Sequence, residues 1–188
     1  ITTVGFDYRG FGKSDGDDGY VDSVDEHLSD CKLFVKKIKE IYKDLPIFAL
    51  GLSMGGMTAY HLSLEDKNIF DGVILMAPAL KNSVGGFLVG LTGMLSKLLP
   101  KKMKLTKPIY GKATSNPQIT DDVKKDPQAF SGRVRLSTVS MLVDIMNKSP
   151  DTFKKYEAPF IIFQGGLDKM VNPEVAFELY DHSKSKDK

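Results

Sequence analysis

The stretch "PIFALGLSMGGMTAY" at residues 46–60 decides the fold. Its apolar start, residues 46–50, is typical of a buried strand, and a helix is predicted at residues 54–65, directly after the glycine-rich turn. Ser53 lies in this turn, with Gly51 and Gly55 two residues to either side. The turn is either a tight connection that happens to contain a serine, or a bend that holds a nucleophile.

Apolar and amphipathic runs alternate on both sides of this turn. A helix at residues 24–43 has an apolar stripe at three-four spacing, and Ser23 with Glu26 forms a capping-box pattern at its start. The remaining predicted elements are strands at residues 1–6, 72–78 and 158–165 and a helix at residues 172–180. Continuous apolar strands separated by helices predict an α/β fold with a mostly parallel sheet flanked by helices.

Residues 80–152 interrupt this alternation, because they contain no convincing core strand. They carry two proline-marked breaks and a helix-like run at residues 134–148. We therefore expect one α/β core formed by residues 1–79 and 153–188, with residues 80–152 as a helical cap inserted between its two parts.

Composition limits the function classes. The 188 residues are 41% apolar and 27% charged, which is ordinary for a globular domain, and the net charge of +2 gives no reason to expect nucleic acid as a partner. The single cysteine, Cys31, indicates a reducing compartment, so a cytoplasmic location is expected. The chain opens with Ile1 rather than methionine, which suggests a piece of a longer chain.

The Ser53 turn suits nucleophilic catalysis. A serine hydroxyl needs a base, an acid that orients the base, and donors for the oxyanion that forms. A helix that begins at the turn offers unpaired N–H groups, of which the backbone N–H of Met54 is the expected oxyanion donor. Gly51 and Gly55 relieve crowding at the bend. The pattern predicts a G-x-S-x-G nucleophile elbow with Ser53 as the nucleophile.

Asp168 is the candidate catalytic acid. It lies three residues past Gly165 in "FIIFQGGLDKMVNP", residues 160–173, where a strand ends. The order serine, then aspartate, across the insertion is typical of α/β-hydrolases. The alternative is an ordinary turn aspartate before a helix.

These motifs together resemble one family. "GFDYRGFGKSDG" (5–16) resembles its D-x-R-G-x-G-x-S segment, and "GLSMGG" (51–56) its G-H-S-M-G-G elbow, with Leu52 in place of histidine. "LMAPAL" (75–80), "FQGGLDKMV" (163–171) and "DPQAFSGRVRLST" (126–138) resemble further segments. The chain is similar to α/β-hydrolases of the monoacylglycerol lipase and lysophospholipase type, also called serine aminopeptidase-like. The resemblance implies that fold, a serine-esterase mechanism without cofactor or metal, and a cap that lines an acyl pocket.

The resemblance leaves the substrate open. Asp7 and Arg9 are expected to order their loop rather than to catalyse. An apolar segment at residues 84–99, beside the basic 101–104, suits a monoacyl lipid presented at a membrane surface, although it could equally pack the cap onto the sheet. A small ester or peptide substrate stays open. The expected substrate-binding residues are Leu52, Phe87, Leu91, Leu95 and Leu98.

No histidine fits the role of catalytic base. His61 lies two turns along the helix from Ser53, about 12 Å away, while His27 and His182 are expected to be solvated. The base and the second oxyanion donor are therefore expected outside this chain, which alone should be inactive or very weak. The sequence favours a serine hydrolase of monoacyl lipids, with a general carboxylesterase or a non-catalytic binding protein as alternatives.

Overall fold

The computed structural model describes residues 1–81, 103–104, 114–130 and 135–188. The chain divides into two compact units. One unit comprises residues 1–30 and 86–141, and the other comprises residues 31–85 and 142–188. Part of the proposed cap segment, at residues 82–102, 105–113 and 131–134, lies outside the described residues, and the division of the chain into core and cap stays a prediction.

A parallel sheet of three strands forms the centre of the second unit. The strands are β1 (Phe48–Leu52), β2 (Gly72–Met76) and β3 (Phe160–Phe163), in the order β1-β2-β3. Leu52, Met76 and Phe163 lie side by side at their carboxyl ends. The parallel sheet was predicted, although β1 begins two residues later than the sequence indicated.

The four predicted helices are present with ends within two residues of the sequence pattern, whereas the helix Pro117–Lys125 and the 3₁₀ helix Pro150–Lys155 were not predicted. Helix α1 begins where predicted, and the Ser23 hydroxyl accepts a hydrogen bond from the backbone N–H of Glu26 at 3.2 Å. Among the described ranges, no helix combines the length and the apolar character needed to cross a bilayer. The helices are α1 (Val24–Ile41), α2 (Met54–Glu65), α3 (Pro117–Lys125), α4 (Leu136–Lys148), a 3₁₀ helix (Pro150–Lys155) and α5 (Glu174–His182).

The predicted strand at residues 1–6 is wrong. These residues are exposed and carry no strand in the structure. An apolar, β-branched run becomes a strand only where a neighbouring strand supplies ladder hydrogen bonds. Within the described residues the sheet has three strands, and residues 1–6 form none of them. Local propensity was therefore insufficient here.

One face of the sheet is buried and the other is exposed. Helix α2 packs on β1 and β2, and Val73, Leu75 and Phe160 are buried. On the same side, the Tyr60 and Tyr156 rings stack with their centroids 4.5 Å apart. Because side chains alternate along a strand, the other set points away from α2. On β1 and β3 this set is apolar and 50% to 67% exposed, and on β2 Met76 is 37% exposed. The residues on β1 and β3 are Phe48, Leu50, Leu52, Ile161 and Phe163.

The first unit holds the ordered loop that follows residues 1–6. The Asp7 carboxylate accepts the backbone N–H of Lys13 at 2.9 Å, and the Arg9 guanidinium pairs with Glu26 and Asp30 of α1. A Cβ at Gly12, where φ is 54°, would lie 2.2 Å from Asp7 Cγ. The expectation that Asp7 and Arg9 order this loop is confirmed.

His27 in the first unit is buried, so the prediction of a solvated side chain is wrong. It is 5% exposed, and its ring meets the Tyr8 ring edge-on with centroids 4.6 Å apart. Burial lowers the pKa of His27, and the nearby Asp30 carboxylate opposes that shift. The helical pattern of α1 alone did not reveal that the preceding loop covers this side of the helix.

Candidate active site

Ser53 has a strained backbone conformation between β1 and α2. Its φ is 52° and its ψ is −111°, a region that L-residues rarely adopt. The backbone N–H donates to Met76 O at 2.9 Å, and the carbonyl accepts from Met57 at 3.0 Å and Ala79 at 3.1 Å. The side chain makes no capping hydrogen bond to α2. Hydrogen bonds to the end of β2, to the turn after β2 and to α2 thus hold the backbone of Ser53 in this conformation.

The glycines around Ser53 are required by close backbone contacts. A Cβ at Gly51 would lie 2.3 Å from Gly55 O, and one at Gly56 would lie 3.0 Å from Pro78 Cβ. Side chains at these positions would push α2 away from the sheet. The bend therefore has the close packing that the sequence pattern predicted for a nucleophile elbow.

The expected oxyanion donor, Met54, is the first residue of α2. The first N–H groups of a helix have no partner within the helix, and they lie at its electropositive end. Leu52 belongs to the exposed face of the sheet and is 62% exposed. The other expected substrate-binding residues, Phe87, Leu91, Leu95 and Leu98, lie outside the described residues. The assignment of all these residues stays a prediction.

Asp168 lies in a turn just past β3, and its carboxylate accepts three hydrogen bonds. Oδ1 accepts the backbone N–H groups of Met170 at 2.8 Å and Val171 at 3.0 Å. Oδ2 accepts the side-chain amide of Gln164 at 3.2 Å. Partial burial alone would raise the pKa of Asp168, but these three donors outweigh it and hold the pKa below its ordinary value.

Ser53 and Asp168 both follow the carboxyl ends of strands. Ser53 follows Leu52, and Gln164 follows Phe163, which lies level with Leu52 two strands away. Two strand spacings amount to about 10 Å. Both candidate residues therefore follow strands at the same edge of the sheet, and the presence of an imidazole between them, as a Ser-His-Asp triad requires, stays a prediction.

Neither histidine of the second unit supplies that imidazole. His61 Nε2 lies 2.9 Å from Ser149 Oγ, and burial lowers its pKa to about 4 against an opposing effect of Glu65. His182 is exposed, as predicted, and its Nδ1 lies 2.8 Å from Glu178 O. Among the hydrogen bonds found in the described ranges, none joins the Ser53 hydroxyl to an imidazole.

Two residues beside the candidate site were not singled out by the sequence reasoning. Ala77 has a φ of 42° and donates its N–H to Phe163 O at 2.8 Å. Gln164 donates to Asp168. The Ala-Pro step after β2 was a usable signal for a sharp bend, whereas nothing in the sequence marked the role of Gln164.

The comparison with protein families decides what kind of chain this is. A family model described as serine aminopeptidase, S33, matches residues 1–188. The chain belongs to this family. Its parallel sheet with flanking helices is the α/β-hydrolase fold.

Curated proteins and solved structures that are similar to this chain include several named as lipases or esterases. Monoglyceride lipase of Mus musculus is 26% identical over 185 residues, covering 97% of this chain and 61% of the relative. Caffeoylshikimate esterase of Arabidopsis thaliana is 26% identical over 196 residues, covering 97% and 57%. The crystal structure of Paleococcus ferrophilus monoacylglycerol lipase matches with a TM-score of 0.79 and 25% identity, covering 97% and 69%. The chain thus spans about three fifths of these curated relatives' length.

Proposed function

We propose that the natural protein containing this chain is a serine hydrolase that cleaves carboxylic esters through an acyl-enzyme on Ser53. The observation that carries the proposal is the backbone of Ser53, held at a φ of 52° between β1 and α2. Strain of this kind costs about 1–3 kcal/mol and persists where the surroundings enforce it, often at active sites.

In the proposed reaction, the Ser53 hydroxyl attacks the ester carbonyl while an imidazole base takes its proton. Asp168 accepts the other N–H of the imidazole, and the Met54 N–H stabilises the oxyanion. The alcohol leaves with the proton from the imidazole, and water then releases the acid from Ser53 by the same steps in reverse order.

The base and a second oxyanion donor are proposed to come from sequence outside residues 1–188. His61 and His182 are each engaged elsewhere, by Ser149 and by Glu178. We therefore propose that residues 1–188 alone hydrolyse esters very poorly, since triad members act as a unit.

The proposed substrate is a monoacyl lipid such as a monoacylglycerol or a lysophospholipid. The mouse and Paleococcus relatives are named for monoacylglycerol cleavage. The apolar segment at residues 84–99, with the basic residues 101–104 beside it, suits an acyl chain taken up from a membrane surface. Peripheral membrane contact belongs to the same proposal, and neither a cofactor nor nucleic acid enters it.

The second candidate is a general carboxylesterase. The Arabidopsis relative, named as an esterase of caffeoylshikimate, is as similar to this chain as the mouse lipase is. A binding protein of the same fold without turnover is the third candidate, because no base was found among the described residues.

A fluorophosphonate probe tests the nucleophile directly, because it reacts with activated serines. The complete protein should be labelled, and Ser53→Ala should abolish labelling. Ser115→Ala changes an exposed serine remote in sequence and serves as the matched control, which should be labelled like wild type. Labelling that persists in Ser53→Ala would exclude Ser53, and an unlabelled wild type would favour the binding protein.

A further inference from the structure

The proposed reaction assigns no role to Gln164, whose side-chain amide lies beside Asp168. It follows β3 directly, and its Nε2 donates to Asp168 Oδ2 at 3.2 Å and lies 3.4 Å from Gly165 O. Its Oε1 is buried and has no hydrogen-bond partner among the described residues. A buried acceptor without a partner costs about 1–3 kcal/mol, so its presence needs a reason.

The amide orientation of Gln164 is fixed by its neighbours. Rotating the amide by half a turn would place Oε1 against Asp168 Oδ2 and Gly165 O, which are both acceptors. The unpartnered position of Oε1 is therefore the consequence of directing Nε2 at the carboxylate.

The turn that carries Asp168 has little other support. Gly165 and Gly166 have open space where side chains would lie, and Leu167 is 93% exposed. The backbone N–H of Asp168 closes the turn onto Gly165 O at 3.2 Å. Hydrogen bonds inside the segment therefore hold the carboxylate in place.

We propose that Gln164 is a positioning residue that fixes the carboxylate of Asp168 for its partner in the reaction. The proposal rests on the proposed function, in which Asp168 is the acid of the triad. Oδ1 already accepts two backbone N–H groups, from Met170 and Val171. Among the described residues, Oδ2 accepts the Gln164 amide alone, so it keeps a lone pair for the N–H of an incoming imidazole.

If Gln164 positions Asp168, replacing it should lower the activity without lowering the stability of the fold. Replacing Gln164 by leucine removes the unpartnered acceptor and keeps the side-chain volume similar, so the fold should be as stable as wild type or more so. The same change removes the donor on Asp168 Oδ2 and frees the carboxylate to rotate. A merely structural Gln164 would instead lose stability and activity together.

The first test measures the Asp168 carboxyl directly by ¹³C NMR titration of the complete protein, with Asp168→Asn to assign the resonance. In Gln164→Leu the pKa of Asp168 should rise, because a donor to the charged form is lost. Leu167→Ala, at an exposed position in the same turn, is the matched control and should leave the pKa unchanged. An unchanged pKa in a folded Gln164→Leu variant would overturn the proposal.

The second test uses the complete protein and an ester substrate. Gln164→Leu should lower kcat/KM by about 10- to 100-fold, the loss expected from a displaced catalytic group. Gln164→Glu should do the same, since its carboxylate repels Asp168 and donates nothing when ionised. A full-rate Asp168→Asn variant would contradict the proposed function, whereas a slow Asp168→Asn with a full-rate Gln164→Leu would contradict only the positioning role.

Discussion

Ser53 and Ala77 stand at the ends of adjacent parallel strands, and both have a positive φ, 52° and 42°. Within the described ranges they are the two non-glycine residues that have a positive φ. The Ser53 N–H donates to Met76 O, and Ala79 donates to Ser53 O. The bend after β2 is therefore hydrogen-bonded to the bend after β1, and the conformation of Ser53 depends on both bends.

Replacing Ala77 by glycine should stabilise the second unit by about 1 kcal/mol, because glycine adopts positive φ without the Cβ clash. Ala77→Val should destabilise it, since a β-branched side chain is worse there. Ala59→Gly in the regular helix α2 is the control and should lower stability by about 1 kcal/mol or more. Denaturant unfolding measures all three, and a destabilised Ala77→Gly would contradict the strain at this residue.

Gly51→Ala should lower the free energy of unfolding by several kcal/mol, about 2–4, because the new Cβ would lie 2.3 Å from Gly55 O. The fluorophosphonate labelling of Ser53 in the complete protein should slow as α2 shifts. Gly165→Ala introduces the same methyl group where no atom lies within 4 Å. Equal losses in the two variants would show that the contact at Gly51 is unimportant.

The stability of the second unit should fall as the pH drops from 6.5 to about 4, because of His61. Burial lowers its pKa from 6.5 to about 4, so the unfolded chain binds the proton first as the pH falls. The stabilisation is fully present above pH 6.5, and up to about 3 kcal/mol is lost across this window. Urea unfolding at several pH values measures it.

His61→Gln should flatten this part of the pH dependence, because it removes the buried imidazole. Identical pH profiles for wild type and His61→Gln would show that another group is responsible.

Long-chain p-nitrophenyl esters should be better substrates of the complete protein than p-nitrophenyl acetate or p-nitrophenyl butyrate. Each buried methylene contributes about 0.8 kcal/mol, so kcat/KM should rise with chain length if an acyl tunnel is present. Replacing Leu91, Leu95 and Leu98 by serine should flatten this rise while leaving short esters nearly unaffected. A wild-type preference for acetate or butyrate would favour the general carboxylesterase instead.

The sequence by itself determined the elements that depend on local pattern. The apolar stripe and the Ser23 cap placed α1, and the glycines around Ser53 marked the bend between β1 and α2. These features were predictable because helix periodicity, capping and the steric demands of glycine act between residues close in the chain.

Only the tertiary structure decided which groups meet across the chain. Residues 1–6 have the pattern of a strand but no ladder, and His27 is covered by Tyr8 although its helix position suggested solvent. The contact of Gln164 with Asp168 depends on the path of one turn. Strand pairing, burial and carboxylate orientation are set by the positions of partners, which local patterns do not specify.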